Sequence, residues 1–73
     1  MKKLSKAETI IKYLIENEGA EEVSSNSRRY RKFTRPGTNR FYYVGKMGAI
    51  RSGRTATDSI SLTAKYEKLL FKV

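Results

Sequence analysis

The chain has 73 residues, 38% of them hydrophobic, with no cysteine and no histidine, and carries a formal net charge of +9. That length makes one small domain, residues 1–73, whose core supplies only about 3–5 kcal/mol, so a large buried active site is not expected. Without Cys or His, disulfide staples, zinc fingers, cysteine nucleophiles and Ser-His-Asp triads are all excluded.

Ser5-Lys6-Ala7-Glu8 has the spacing of a capping box, which predicts a helix starting at about Lys6. Ala7, Ile10, Ile11, Leu14 and Ile15 recur at steps of three and four and form one apolar stripe, read as core. Glu8 and Lys12 pair on the polar side, and Gly19 is the expected stop. Met1-Lys2-Lys3-Leu4 therefore opens into a charged helix rather than a signal-peptide core, and no apolar run approaches the roughly 18 residues of a membrane span. The expectation is a soluble, intracellular protein with no membrane partner and no cofactor.

Residues 24–29, Ser-Ser-Asn-Ser-Arg-Arg, read as a loop. Tyr30 to Thr34 is strand-like, and Pro36-Gly37 supplies the fixed φ and the positive φ of a type II turn, so a hairpin follows. Arg40 to Val44 is the strongest strand, with Phe41 and Tyr43 on one face and Tyr42 and Val44 on the other. Gly45-Lys46-Met47-Gly48 reverses the chain into a short third strand, Ala49 to Ser52, ending at Gly53. Tyr30 and Phe33 have opposite parity, so placing both in one core needs a bulge.

Arg54 to Ser59 is polar and turn-like, with Asp58 as the residue that closes the turn. Ile60 and Leu62 alternate with serines as a short fourth strand would. Thr63 is placed to cap a final helix, since Tyr66, Leu69, Leu70 and Val73 fit helical spacing better than Leu69, Phe71 and Val73 fit a strand. The expected fold is α+β: an N-terminal helix, a three-stranded antiparallel meander extendable by the fourth strand, and a short C-terminal helix.

Catalytic chemistry finds little to use. Glu16, Glu18, Glu21 and Glu22 read as a solvated helix end, and Asp58 beside Ser59 or Ser61 has no histidine to complete a dyad. Gly45, Gly48 and Gly53 match neither the Walker nor the Rossmann spacing. Gly45-Lys46-Met47-Gly48 looks like the GXXG loop of KH domains, but that loop joins two helices, whereas this one follows a strand and reads as a plain hairpin turn.

The charge is concentrated in the middle of the chain. From Val23 to Thr57 there is no acid, while Arg28, Arg29, Arg31, Lys32, Arg35, Arg40, Lys46, Arg51 and Arg54 are all cationic. Tyr30, Phe33, Phe41, Tyr42 and Tyr43 are interleaved with them. Guanidinium groups beside aromatic faces are what single-stranded nucleic-acid grooves use for phosphate attraction and base stacking. The expected contact set is Arg28, Arg29, Tyr30, Arg31, Lys32, Arg35, Arg40, Tyr42, Lys46, Arg51 and Arg54. The competing interpretation makes Phe33, Phe41 and Tyr43 core and the cations a solubilising surface.

In size, in the lysine-rich start Met1-Lys2-Lys3-Leu4-Ser5-Lys6 and in the arginine-rich centre, the chain resembles the small basic regulators that phages direct at host RNA polymerase, of the type made by a Xanthomonas phage. The resemblance covers the whole chain but rests on no diagnostic motif. It implies a non-enzymatic protein, monomeric when free, in the cytoplasm of a bacterial host. Such a protein docks on the polymerase β′ subunit, near σ and β, inhibits σ-dependent initiation and promotes antitermination. The alternative is a small domain that binds DNA or RNA directly. Its element order is similar to double-stranded RNA-binding domains but lacks their basic C-terminal helix start beyond Lys65 and Lys68. A nuclease toxin shares the order and is disfavoured by the missing histidine.

Overall fold

The computed structural model describes residues 4–25, 28–55 and 57–71. In chain order it contains α1 (Lys6–Glu18), β1 (Glu22–Val23), β2 (Tyr30–Thr34), β3 (Phe41–Gly45), β4 (Ile50–Gly53), β5 (Ser59–Ser61) and α2 (Thr63–Tyr66), which runs on as a π-helical turn, Glu67–Phe71. The strands form one antiparallel sheet in sequential order, and both helices pack on the same side of it. The expected α+β arrangement is the one observed, with one strand more than the sequence suggested.

Helix α1 begins and ends where its sequence dictates. Ser5 Oγ accepts from the Glu8 amide at 3.1 Å and Glu8 Oε1 accepts from the Ser5 amide at 3.1 Å, completing the capping box. Gly19 takes φ 71° at the C-cap and its amide donates to the Leu14 carbonyl. Such a left-handed cap is open to glycine without Cβ strain. Ile10, Ile11 and Leu14 are buried, but Ile15 is 49% exposed and leaves the predicted stripe. Tyr13 takes part instead, meeting Tyr66 edge-on at 5.9 Å between ring centroids.

The turns follow their residue types. The Thr38 amide donates to the Arg35 carbonyl across Pro36 and Gly37, and Gly37 takes φ 84°, as a type II turn requires. Between β3 and β4 the Gly48 amide donates to Gly45 and Gly48 takes φ 90°, a three-residue hairpin loop closed by a left-handed glycine. Gly48 also backs onto α1: a Cβ there would stand 2.7 Å from Lys6 Cβ.

Pleating divides the strands into two sets. Arg31, Phe33, Tyr42, Val44, Ile50, Ser52 and Ile60 share the helix side, since Phe33 opposes Tyr42, Tyr42 opposes Ser52, Ser52 opposes Ile60, and Val44 opposes both Arg31 and Ile50. Phe33, Val44 and Ile50 are almost fully buried there with Ile10, Leu14 and Tyr66. Each such side chain contributes about 1.5–3 kcal/mol of burial energy. Tyr30, Lys32, Thr34, Phe41, Tyr43, Gly45, Arg51 and Gly53 share the other side. The β2–β3 register is unbroken, so no bulge is needed: Tyr30 and Phe33 occupy opposite faces.

Further sequence expectations change. Glu22, expected at a solvated helix end, instead lies with Val23 in the two-residue strand β1; the Glu21 carbonyl accepts from the Thr34 amide and the Glu21 amide donates to Thr34 Oγ1, which docks this segment on β2. Thr63 is not a cap, because Leu62 precedes the helix without a side-chain bond, and Thr63 Oγ1 instead accepts from the Ile50 amide at 3.2 Å. In the connection before β5 it is the Thr55 hydroxyl that receives the Asp58 amide, at 2.9 Å. Tyr42, Arg31 and Arg35 are taken up below. Met1 to Lys3, Asn26, Ser27, Ala56, Lys72 and Val73 lie outside the described residues.

Candidate polyanion-binding surface

Strand alternation gives consecutive cations different fates. Arg31 points to the helix side, where its guanidinium grips Glu22 with two hydrogen bonds, 2.8 Å from Nε and 2.6 Å from Nη2. It also lies 5.6 Å from the Phe33 ring centroid. The pairing holds the Glu22 carboxyl below its ordinary value and raises the Arg31 guanidinium. Arg35, at the end of β2, sits 5.4 Å from the Tyr42 ring centroid and donates to the buried Ser52 Oγ at 2.9 Å. These two arginines fasten the helix side.

Tyr42 joins them there and leaves the predicted contact set. It is 3% exposed within the core, and its hydroxyl contacts Glu18 Oε1 at 3.5 Å. The reason is parity: Tyr42 opposes Phe33 and Ser52, both helix-side positions.

The opposite face carries the other half of the prediction. Lys32, Tyr43 and Arg51 form one cross-strand row. Tyr43 is 3% exposed although no helix covers it; it stands between the two long cationic side chains, and its hydroxyl donates to the Arg54 carbonyl at 3.1 Å. Burial raises its phenol above the ordinary value. The Lys32 ammonium lies 4.1 Å from the Phe41 ring centroid, close enough for a cation–π contact. Arg51 donates from Nε to Ser59 Oγ at 2.8 Å and from Nη2 to the Ser59 carbonyl at 2.7 Å, tying β4 to β5. No carboxylate occupies a position on this face among the described strands.

At the two ends of the face stand the exposed cations. Arg28, Arg29 and Lys46 gather beside Tyr30 at one end, where the β3–β4 turn meets the start of β2. Arg40 and Arg54 line a hollow of about 320 Å³ at the other, with Asp58 and with the helix-side residues Ser52 and Ile60. Of the predicted contact residues, Tyr30, Lys32 and Arg51 thus lie on one face, Arg28, Arg29, Lys46, Arg40 and Arg54 stand at its two ends, and Arg31, Arg35 and Tyr42 turn to the helix side.

One feature escaped sequence reading. Leu4, Ile11 and Ile15, with Glu8, Lys12, Glu16 and Arg31 around them, line a hollow of about 340 Å³ beside α1, and Leu4 is 47% exposed. The signal was present in the spacing of Leu4, Ile11 and Ile15, which continues a stripe wider than the core accepts. Among the described residues no group of Cys, His, Asp and Glu could hold a metal ion, and no helix is long and apolar enough to cross a membrane.

Comparison with protein-family models, with curated proteins and with solved structures returns no match.

Proposed function

We propose that the chain acts by binding rather than by catalysis, and that its target is nucleic acid, held against the helix-free face of the sheet. The observation that carries this is the sorting of charge. Strand pleating leaves Lys32 and Arg51 on a face without carboxylates, and the loops at both ends add Arg28, Arg29, Lys46, Arg40 and Arg54. A strip of cations offers phosphate contacts along its length, and Tyr30 at its end offers a ring for stacking. In a titration of duplex DNA against salt, engagement of five or more of these cations predicts a log–log slope of magnitude about 4 or more, and a slope of about 1 would reject the reading.

A second reading, favoured by the hollow of Leu4, Ile11 and Ile15, is docking on a protein. The resemblance to phage regulators makes that protein bacterial RNA polymerase, through its β′ subunit, with inhibition of σ-dependent initiation and terminator readthrough as the outcome. Apolar surface adds little to binding of a phosphate backbone but is ordinary in the centre of a protein interface. Purified, nuclease-treated polymerase that retains the chain at roughly 0.15 M salt and loses promoter activity supports this reading. Loss of retention on Ile15→Asp alone would assign it to the hollow, and unaltered promoter activity would reject it.

A further inference from the structure

The end of the sheet face at Tyr30 is built differently from the rest. Tyr30 is half-buried, and its ring lies along Gly45, the residue opposite it in β3: a Cβ on Gly45 would stand 3.4 Å from Tyr30 Cε1 and 3.6 Å from Cδ1. Glycine at that position leaves a flat floor under the ring. Phe41 has no such outlook, because the Lys32 ammonium sits over it, and Tyr43 is buried. Tyr30 is therefore the aromatic side chain of this face with space beside it.

That space has a defined chemistry. Two hollows, of about 400 and 340 Å³, share Arg28, Arg29, Tyr30 and Lys46 in their walls. The larger reaches Glu8, whose carboxylate is occupied in the α1 capping box. The smaller is lined by three cations and no acid, and Met47, 89% exposed, forms its outer lip. An exposed thioether and an aromatic ring bordering one open slot suit a flat, polarisable group, and the surrounding cations suit the anion attached to it.

We propose that this slot is a subsite for one unpaired nucleobase of a single strand, stacked on Tyr30 and capped by Met47, with the neighbouring phosphates on Arg28, Arg29 and Lys46. The subsite rests on the nucleic-acid reading and sharpens it to single strands, because a base paired and stacked in a duplex has no free face to offer.

The test is fluorescence anisotropy with labelled oligo(dT) and with a DNA duplex of equal length, at roughly physiological salt. Wild-type chain should prefer the single strand. Tyr30→Leu should weaken oligo(dT) binding roughly 5- to 100-fold, the value of one stacked base, while leaving duplex affinity and the salt slope unchanged because no phosphate contact is lost. Tyr30→Phe should retain affinity and, with circular dichroism of each variant, separates stacking from misfolding. Tyr30→Trp introduces a tryptophan into a chain that has none, and its emission should be quenched by oligo(dT) but not by duplex. If wild type binds both forms equally, Tyr30→Leu costs less than about twofold and the introduced tryptophan is not quenched, the subsite is overturned while nucleic-acid binding stands. If wild type binds neither form, both readings fall together.

Discussion

The two faces of the sheet are made from the same residue types and do different work. Facing the helices, Arg31 and Arg35 each lie over an aromatic ring and each give their hydrogen bonds to the protein itself, to Glu22 and to Ser52. Facing away, Lys32 and Arg51 flank a buried tyrosine, and the exposed cations of the flanking loops extend the same sign to both ends. Strand parity decides which cations face the helices, although Arg51 on the helix-free side is also tied to the protein, through two hydrogen bonds to Ser59, and composition alone does not show this division.

The largest expected difference between the faces is in stability. Phe33→Ala empties a fully buried helix-side position and should cost about 3–5 kcal/mol, close to the whole stability of a domain this small, so urea titration should find the variant largely unfolded. Phe41→Ala, on the half-exposed opposite face, should cost well under half as much, and equal losses would break the distinction. Gly53 is the next most sensitive position. A Cβ there would lie 2.1 Å from the Asp58 carbonyl oxygen, so Gly53→Ala should cost about 1–3 kcal/mol by forcing β5 from β4, read as a lower melting temperature.

Charge removal should show the reverse preference. Joint replacement of Arg40, Lys46 and Arg54 by Gln should reduce the slope of log affinity against log salt by about 2 on single strands while leaving the melting temperature nearly unchanged. Arg31→Gln should leave that slope as it is. Its ion pair with Glu22 is mostly exposed, so the loss of stability should lie between about 0 and 1 kcal/mol, checked by the same urea titration. A slope change on Arg31→Gln would place the contact surface on the wrong side of the sheet.

The helix side also has its own pH signature. Burial, helped by a hydrogen bond with Tyr42, raises the Tyr66 phenol above its ordinary value of 10.0. The folded chain therefore keeps a proton that the unfolded chain releases, so this contribution is complete below about pH 10 and is lost as pH rises beyond it. Alkaline denaturation of wild type should steepen above that pH, and Tyr66→Phe should flatten the descent.

Much of this architecture is legible in the residues. The capping box at Ser5 and Glu8, the stop at Gly19 and the Pro36-Gly37 turn are local devices whose partners lie within a few positions, and each is found in place. Parity within β3 was readable too, since Phe41/Tyr43 and Tyr42/Val44 do separate. What local pattern does not carry is which pair the helices cover. Tyr42, a tyrosine like its neighbour Tyr43, lies among the helices because it opposes Phe33, and that pairing is a tertiary fact. Likewise β1 is two residues long and exists through Thr34, thirteen positions away at Glu21. Of the proposed contact surface, the run of cations was visible as sequence; its division by strand parity, and the floor that Gly45 gives Tyr30, required the register.

The most direct test is the pattern of backbone amide shifts in a heteronuclear NMR titration with oligo(dT). Binding by the helix-free face predicts perturbations at Arg28 to Tyr30, Lys32, Phe41, Tyr43, Lys46, Met47 and Arg51, with α1 unaffected. Perturbations running instead along Leu4, Ile11 and Ile15, with the strand amides unmoved, would contradict it.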